Sequence, residues 1–174
     1  MKLFRRSVLL LALTGILGGL VGCAGYRLGS VKPSAMADIR TMAIPTFTNE
    51  TLEPKIAVLM SNALIGQMQT DGTYQIATID KADAILRGTI KNVLRRPLRG
   101  ARTDVLKTRE MEISVVVDYV VEDLGTGGEI DSGTVTGQTN IFLDPNFQLS
   151  ERQAVQAAGE QMAIELTSRL TEGF

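Results

Sequence analysis

The chain has 174 residues, with 18 basic and 19 acidic side chains, no His and a single Cys, Cys23. Without His it lacks the commonest general base and the commonest zinc or copper ligand, and with one Cys it forms no internal disulfide. No G-x-x-x-x-G-K-[ST], G-x-S-x-G or G-x-G-x-x-G stretch is present, so the composition points away from an enzyme and from a bound metal or cofactor.

Lys2, Arg5 and Arg6 precede an uncharged run, residues 8–21, rich in Leu, Gly and Ala. This is the build of an export signal, and residues 1–22 are expected to be removed as a signal peptide. A retained membrane helix fits less well, because the run is shorter than the roughly 18–20 residues a span needs. Leu20-Val21-Gly22-Cys23 resembles the lipobox of bacterial lipoproteins. That resemblance implies a lipidated Cys23 at the mature N-terminus and attachment to the membrane through the lipid anchor. Two or more acyl chains hold such an anchor stably. Ala24, rather than Asp, follows the Cys, which favours an outer-membrane location under the enterobacterial sorting rule. Losing three of the 18 basic residues leaves 15 against 19 acidic ones, a net charge of −4 on the mature chain. Residues 23–38 read as the lipidated Cys and a tether, and 39–174 as a single domain of ordinary size.

Within that domain, "IRTMAIPTF" (39–47) alternates as a strand, and a helix is expected from about Pro54 to Gln69. Ile56, Leu59, Met60, Ala63, Leu64 and Met68 give this helix one apolar stripe of core-packing character. A short strand follows at Tyr74 to Ala77, then longer ones at 82–94 and 110–124. In the last of these Met111, Ile113, Val115, Val117, Tyr119 and Val121 share a face suited to a helix layer. The opposite face is mixed, and Val116 and Val120 on it are candidates for a partner contact, or ordinary residual apolar positions of a central strand. "GTGG" (125–128) is a turn into another antiparallel strand, 129–143. Ser150-x-x-Gln153 forms a capping box for a final helix striped by Val155, Ala158, Met162, Leu166 and Leu170. The expected fold is α+β, a two-layer sandwich of two helices on one face of a mostly antiparallel, about four-stranded sheet.

"CAGYRLG", "IPTFTNETLEPKIAVLMSNAL" and "ADAILRGTI" together resemble the LptE family of lipopolysaccharide-assembly lipoproteins. The resemblance implies a large outer-membrane β-barrel translocon as partner, with the lipoprotein partly inside the barrel, and contact with lipopolysaccharide. One departure is that "FLDPNFQLS" (142–150) has no Lys or Arg, where enterobacterial members carry a basic residue. The alternative resemblance is to periplasmic lipoproteins of the curli-secretion or penicillin-binding-protein-activator type. These share the "P-F-x-N" and "A-D-x-I-L-x-G-x-I" patterns but lack the G-Y-R-L directly behind the Cys.

"RRPLRGARTDVLKTR" (95–109) concentrates Arg95, Arg96, Arg99, Arg102, Lys107 and Arg109 against one acid, Asp104. Pro97 and Gly100 mark a strand-to-strand connection that reaches outward. Arg forks match phosphate geometry, and lipopolysaccharide carries phosphates, so the six are candidate lipopolysaccharide-binding residues. A solvated basic loop is the plainer reading. Nucleic acid would fit the charge, but an exported lipoprotein does not meet it.

Overall fold

The computed structural model describes residues 32–98, 110–142 and 147–173, and Lys32–Phe174 form one compact unit. The stretch read as a signal peptide (residues 1–22), Cys23, Arg99, Arg102, Lys107 and Arg109 lie outside the described residues. Six strands and two α-helices follow in chain order: β1 Thr41–Ala43, β2 Thr48–Asn49, α1 Ile56–Asp71, β3 Gln75–Ile76, β4 Ala84–Leu98, β5 Glu110–Asp123, β6 Glu129–Phe142 and α2 Phe147–Glu172.

The class is α+β as the sequence implies, but the sheet differs from the expected one. It has six strands rather than about four, in the order β3-β1-β4-β5-β6 with β2 also on β4, and it is mixed. β1 pairs in parallel with β3 and β4, and β2 in parallel with β4; only the β4–β5–β6 meander is antiparallel. The reason is connectivity. Parallel strands need a long crossover, and α1 is the crossover between β1 and β3. The stretch read as one strand, 39–47, is broken before Phe47, whose N–H donates to Ser61 Oγ on α1 (2.8 Å). The last helix begins at Phe147, so Ser150 lies inside it rather than at its cap.

α1 carries its apolar side chains at helical spacing, and Met60, Leu64 and Met68 are at most 1 % exposed. It stops where Gly72 takes φ 77° and its N–H closes on the Met68 carbonyl at 2.9 Å, the left-handed cap glycine favours. From α2, Ala158, Met162, Leu166 and Leu170 join the same core. The β5 side chains Val115, Val117, Tyr119 and Val121 meet them, with Leu86 and Ile90 of β4. Ile113 of the same row is buried too, and Met111 is half-buried. Within the stretch expected as tether, Ser34–Met36 form a 3-10 turn and Met36 is buried in this core.

α1 and α2 lie side by side and run in the same direction. Their N-terminal halves share a groove with Arg95, while at the other end the Tyr74 hydroxyl donates to the Leu170 carbonyl (2.6 Å). Burial, with Asp71 nearby, pushes the Tyr74 hydroxyl up to about 12. Two glycines let the layers touch. A Cβ on Gly137 of β6 would sit 1.8 Å from the Ala158 carbonyl oxygen, and one on Gly88 of β4 would sit 2.5 Å from the Phe47 ring. The backbone of α2 therefore rests directly on β6.

Candidate partner and ligand surfaces

β1, β2 and β3 flank only the first half of β4, up to Ile90. Beyond it, β4, β5 and β6 continue as a three-stranded ribbon. The transition carries a β-bulge: the β4–β5 register shifts between Ile90 and Asn92, leaving Lys91 as the extra residue. A bulge inverts which residues face the core. Upstream, Leu86, Gly88 and Ile90 point to the helices; downstream, Val93 and Arg95 do, opposite Val115 and Ile113. Lys91 itself pairs with Glu50, and that hydrogen bond raises the lysine pKa.

This inversion puts neighbouring arginines on opposite faces, and both are strand residues rather than loop residues, since β4 runs to Leu98. Arg95 lies on the helix side and bonds both Glu53, before α1, and Glu151, the fifth residue of α2. The Glu151 hydrogen bond is the larger of the two influences holding its guanidinium charged. Both acids sit near helix N-termini, where the aligned peptide dipoles favour negative charge. Arg95 thus ties three elements together, and its charge is met by two carboxylates. It also forms one wall of an open groove of roughly 810 Å³ that includes Pro54, Ile56, Leu59 and Val155. Leu52, which precedes Glu53 in the chain, is fully exposed (103 %). Arg96 points the other way, is 71 % exposed and lies 3.6 Å from Glu112.

The sheet face away from the helices is a set of cross-strand rows. From the bulge outward they read Asn92–Val116–Thr136, Leu94–Ser114–Gln138 and Arg96–Glu112–Asn140. On the other side of the bulge lie Thr89–Asp118–Thr134 and Arg87–Val120–Ser132. Val116 and Val120 are both on this face and half-buried, and Asp118 stands between them, accepting from Thr134 Oγ1 at 2.6 Å. They are apolar islands among short polar side chains, with Leu94 (41 % exposed) nearby. Hence the structure brings Val116, Val120 and Arg96 to one face and sends Arg95 to the other.

Sequence reasoning missed Asp83. Its carboxylate accepts the backbone N–H groups of Arg40 (2.9 Å) and Thr41 (2.8 Å), and its own N–H donates to Thr41 Oγ1 (2.9 Å). These backbone bonds, that from Arg40 first, hold its carboxyl below the usual range. The Ala-Asp pair of "ADAILRGTI" therefore clamps β1 onto the start of β4, and its position just before an apolar strand was the available signal.

The family model of lipopolysaccharide assembly, LptE, matches residues 39–172. The chain belongs to the LptE family. Family membership assigns it a role in lipopolysaccharide assembly at the outer membrane. No curated protein matches the chain. Among solved structures, this LptE-family chain shares its fold with a minor lipoprotein from Acinetobacter baumannii. The TM-score is 0.56 at 16 % identity, over 77 % of this chain and 94 % of that one. A putative neuraminyllactose-binding hemagglutinin homolog from Helicobacter pylori aligns with TM-score 0.55 at 12 % identity, over 84 % and 89 %. The PelC dodecamer from Paraburkholderia phytofirmans aligns at 0.50 and 15 %, over 83 % and 95 %. No helix among the described residues is long and apolar enough to cross a membrane.

Proposed function

We propose that this LptE-family chain is a non-enzymatic lipoprotein, anchored in the outer membrane through lipid on Cys23, that associates with the lipopolysaccharide β-barrel translocon. The observation that carries the reading is the family match, which spans both helices and every strand of the sandwich. The helix-free sheet face supports a barrel contact, because Val116 and Val120 are held at its centre by a sheet anchored on its other side. The basic end of the β4–β5 hairpin supports contact with lipopolysaccharide phosphates. Arg96 extends there from β4, shortly before Arg99, Arg102, Lys107 and Arg109 in the chain, while Arg95 ties β4 to Glu53 and Glu151 on the helix side.

Affinity purification of the tagged protein from detergent-solubilised outer membranes tests the association. A large β-barrel protein should co-purify, and a charge at Val116 should reduce its yield without unfolding the domain. Recovery of a peptidoglycan synthase instead would select the alternative lipoprotein class. For the ligand, replacing Arg99 and Arg102 with Ala should weaken lipopolysaccharide binding, and wild-type affinity should fall as salt rises. Binding indifferent to both changes removes the basic segment from the account.

A further inference from the structure

At the end of the fold away from the Arg95 groove, a cleft of roughly 360 Å³ opens on the helix side of the sheet. Pro33 and Met36, on either side of the 3-10 turn, form one wall, and Ile130, Asp131, Tyr119 and Arg169 form the rest. Tyr119 lies across β6 to reach it because its partner in register is Gly133, where a Cβ would stand 3.3 Å from the ring. The Tyr119 hydroxyl donates to Asp131 Oδ2 (3.0 Å), and Arg169 also comes within hydrogen-bonding reach of it. Burial first, then Asp131, pushes the hydroxyl pKa up against the opposing pull of Arg169, so the group stays a donor. The two charges keep capacity to spare. Asp131 forms no ion pair among the described residues, and Arg169 gives two N–H groups to a single oxygen of Glu165. Gly173, just past the end of α2, completes the lining, and the negative end of the helix dipole adds to the attraction of Asp131 for a cation.

We propose that this cleft holds the phosphoethanolamine headgroup of a membrane phospholipid, with its ammonium on Asp131 and its phosphate on Arg169. Both protein charges reach one tyrosine hydroxyl, so they stand no more than roughly two hydrogen-bond lengths apart. The headgroup carries its own opposite charges at matching close range, an ammonium and a phosphate joined through two carbons. An ammonium offers N–H donors to a carboxylate, and a guanidinium fork suits phosphate oxygens. Chain length keeps the cleft near a lipid surface: Pro33 stands ten residues beyond Cys23, and a stretch of that length spans at most about 36 Å. That step rests on the lipid-anchored reading of Cys23, whereas the headgroup chemistry does not. A second lipid contact beside the anchor raises the effective concentration of each for the other. It also turns the last turn of α2 toward the membrane and the basic end of the β4–β5 hairpin away from it.

The test uses the full chain extracted from membranes in detergent, with short-chain phospholipids added and retained lipid read by native mass spectrometry. Phosphatidylethanolamine should be retained at least about tenfold better than phosphatidylglycerol, which has no ammonium, and phosphatidylcholine, whose quaternary nitrogen has no N–H. Glycerophosphoethanolamine, the headgroup without acyl chains, should displace it. Asp131→Asn should abolish the preference for ethanolamine, and Arg169→Gln should lower retention of phosphatidylethanolamine by a similar factor. Lys81→Gln, at an exposed position shortly before β4, should change neither. Equal retention of the three lipids overturns the proposal, as does a preference that survives Asp131→Asn. Lipid that the soluble headgroup cannot displace is held by its acyl chains, which overturns it too. If either cleft variant loses its circular-dichroism signal, the selectivity and displacement of wild type decide. None of these readouts depends on Cys23, so their failure leaves the anchor reading standing.

Discussion

Gly137→Ala adds one methyl group where the α2 backbone meets β6. The new Cβ would lie 1.8 Å from the Ala158 carbonyl oxygen and 2.5 Å from the Met162 nitrogen. Carbon and oxygen rest at about 3.2 Å or more, so roughly 1.4 Å of separation has to be created between helix and strand. Neither neighbour is a flexible side-chain end; both belong to a hydrogen-bonded helix. Lifting α2 by that amount opens a gap beneath Ala158, Met162 and Leu166, all fully buried. A gap of this size forfeits about half of the dispersion along the seam. The expected loss is about 3 kcal/mol, at the upper end of ordinary overpacking. Urea unfolding of the Cys23→Ser chain, read by circular dichroism, should show a midpoint lowered by roughly 1–2 M. Gly159→Ala is the matched control. There the clash is with Met60 Cε at 2.5 Å, a flexible end, and the alanine gains about 0.8 kcal/mol or more of helix propensity. It should stay within about 1 kcal/mol of wild type. If Gly137→Ala unfolds no more readily than Gly159→Ala, α2 does not rest on β6 as described.

Three further outcomes follow from the same geometry. Asp83 has its carboxyl pKa lowered by the backbone of Arg40 and Thr41, so its contribution is present above the unfolded value near 3.9 and is lost as pH falls through the lower folded value; melting temperatures should therefore drop more steeply in acid for wild type than for Asp83→Asn, and parallel curves would contradict the clamp. Arg95→Ala leaves Glu53 and Glu151 facing each other and should cost about 1 kcal/mol in denaturant titration after solvent screening, whereas Arg96→Ala should cost about 0.5 kcal/mol or less; equal effects would refute the strut. Cys23→Ser should leave the membrane fraction or remain uncleaved; mature-length protein still in the outer membrane would end the lipid-anchor reading.

The parts of the fold legible in the sequence were those where one residue type repeats with a clear period. Met60, Leu64 and Met68 marked α1, Ala158, Met162, Leu166 and Leu170 marked α2, and the alternation from Ile113 to Val121 marked both β5 and the face the helices cover. What stayed hidden was carried by two- and three-residue elements or by backbone alone. β2 and β3 are two residues each, too short for any period, and their parallel pairing is set by the α1 crossover rather than by their own side chains. The Lys91 bulge left only a three-residue spacing between Ile90 and Val93, yet it decides that Arg95 faces the helices and Arg96 does not. Composition showed a basic cluster; it gave no sign that two of its arginines would divide between a structural strut and an open face. Met36 belongs to the core for a similar reason, since a three-residue 3-10 turn, too short to show a period, places it there beside Ile39.

Depletion of the protein in its native bacterium, with lipopolysaccharide measured at the cell surface and in total, tests the central claim most directly. A lipoprotein that serves the translocon predicts that surface lipopolysaccharide falls while the total is maintained, and that reintroducing the wild-type chain restores the surface pool. Surface lipopolysaccharide that stays at its normal level after depletion would contradict the account.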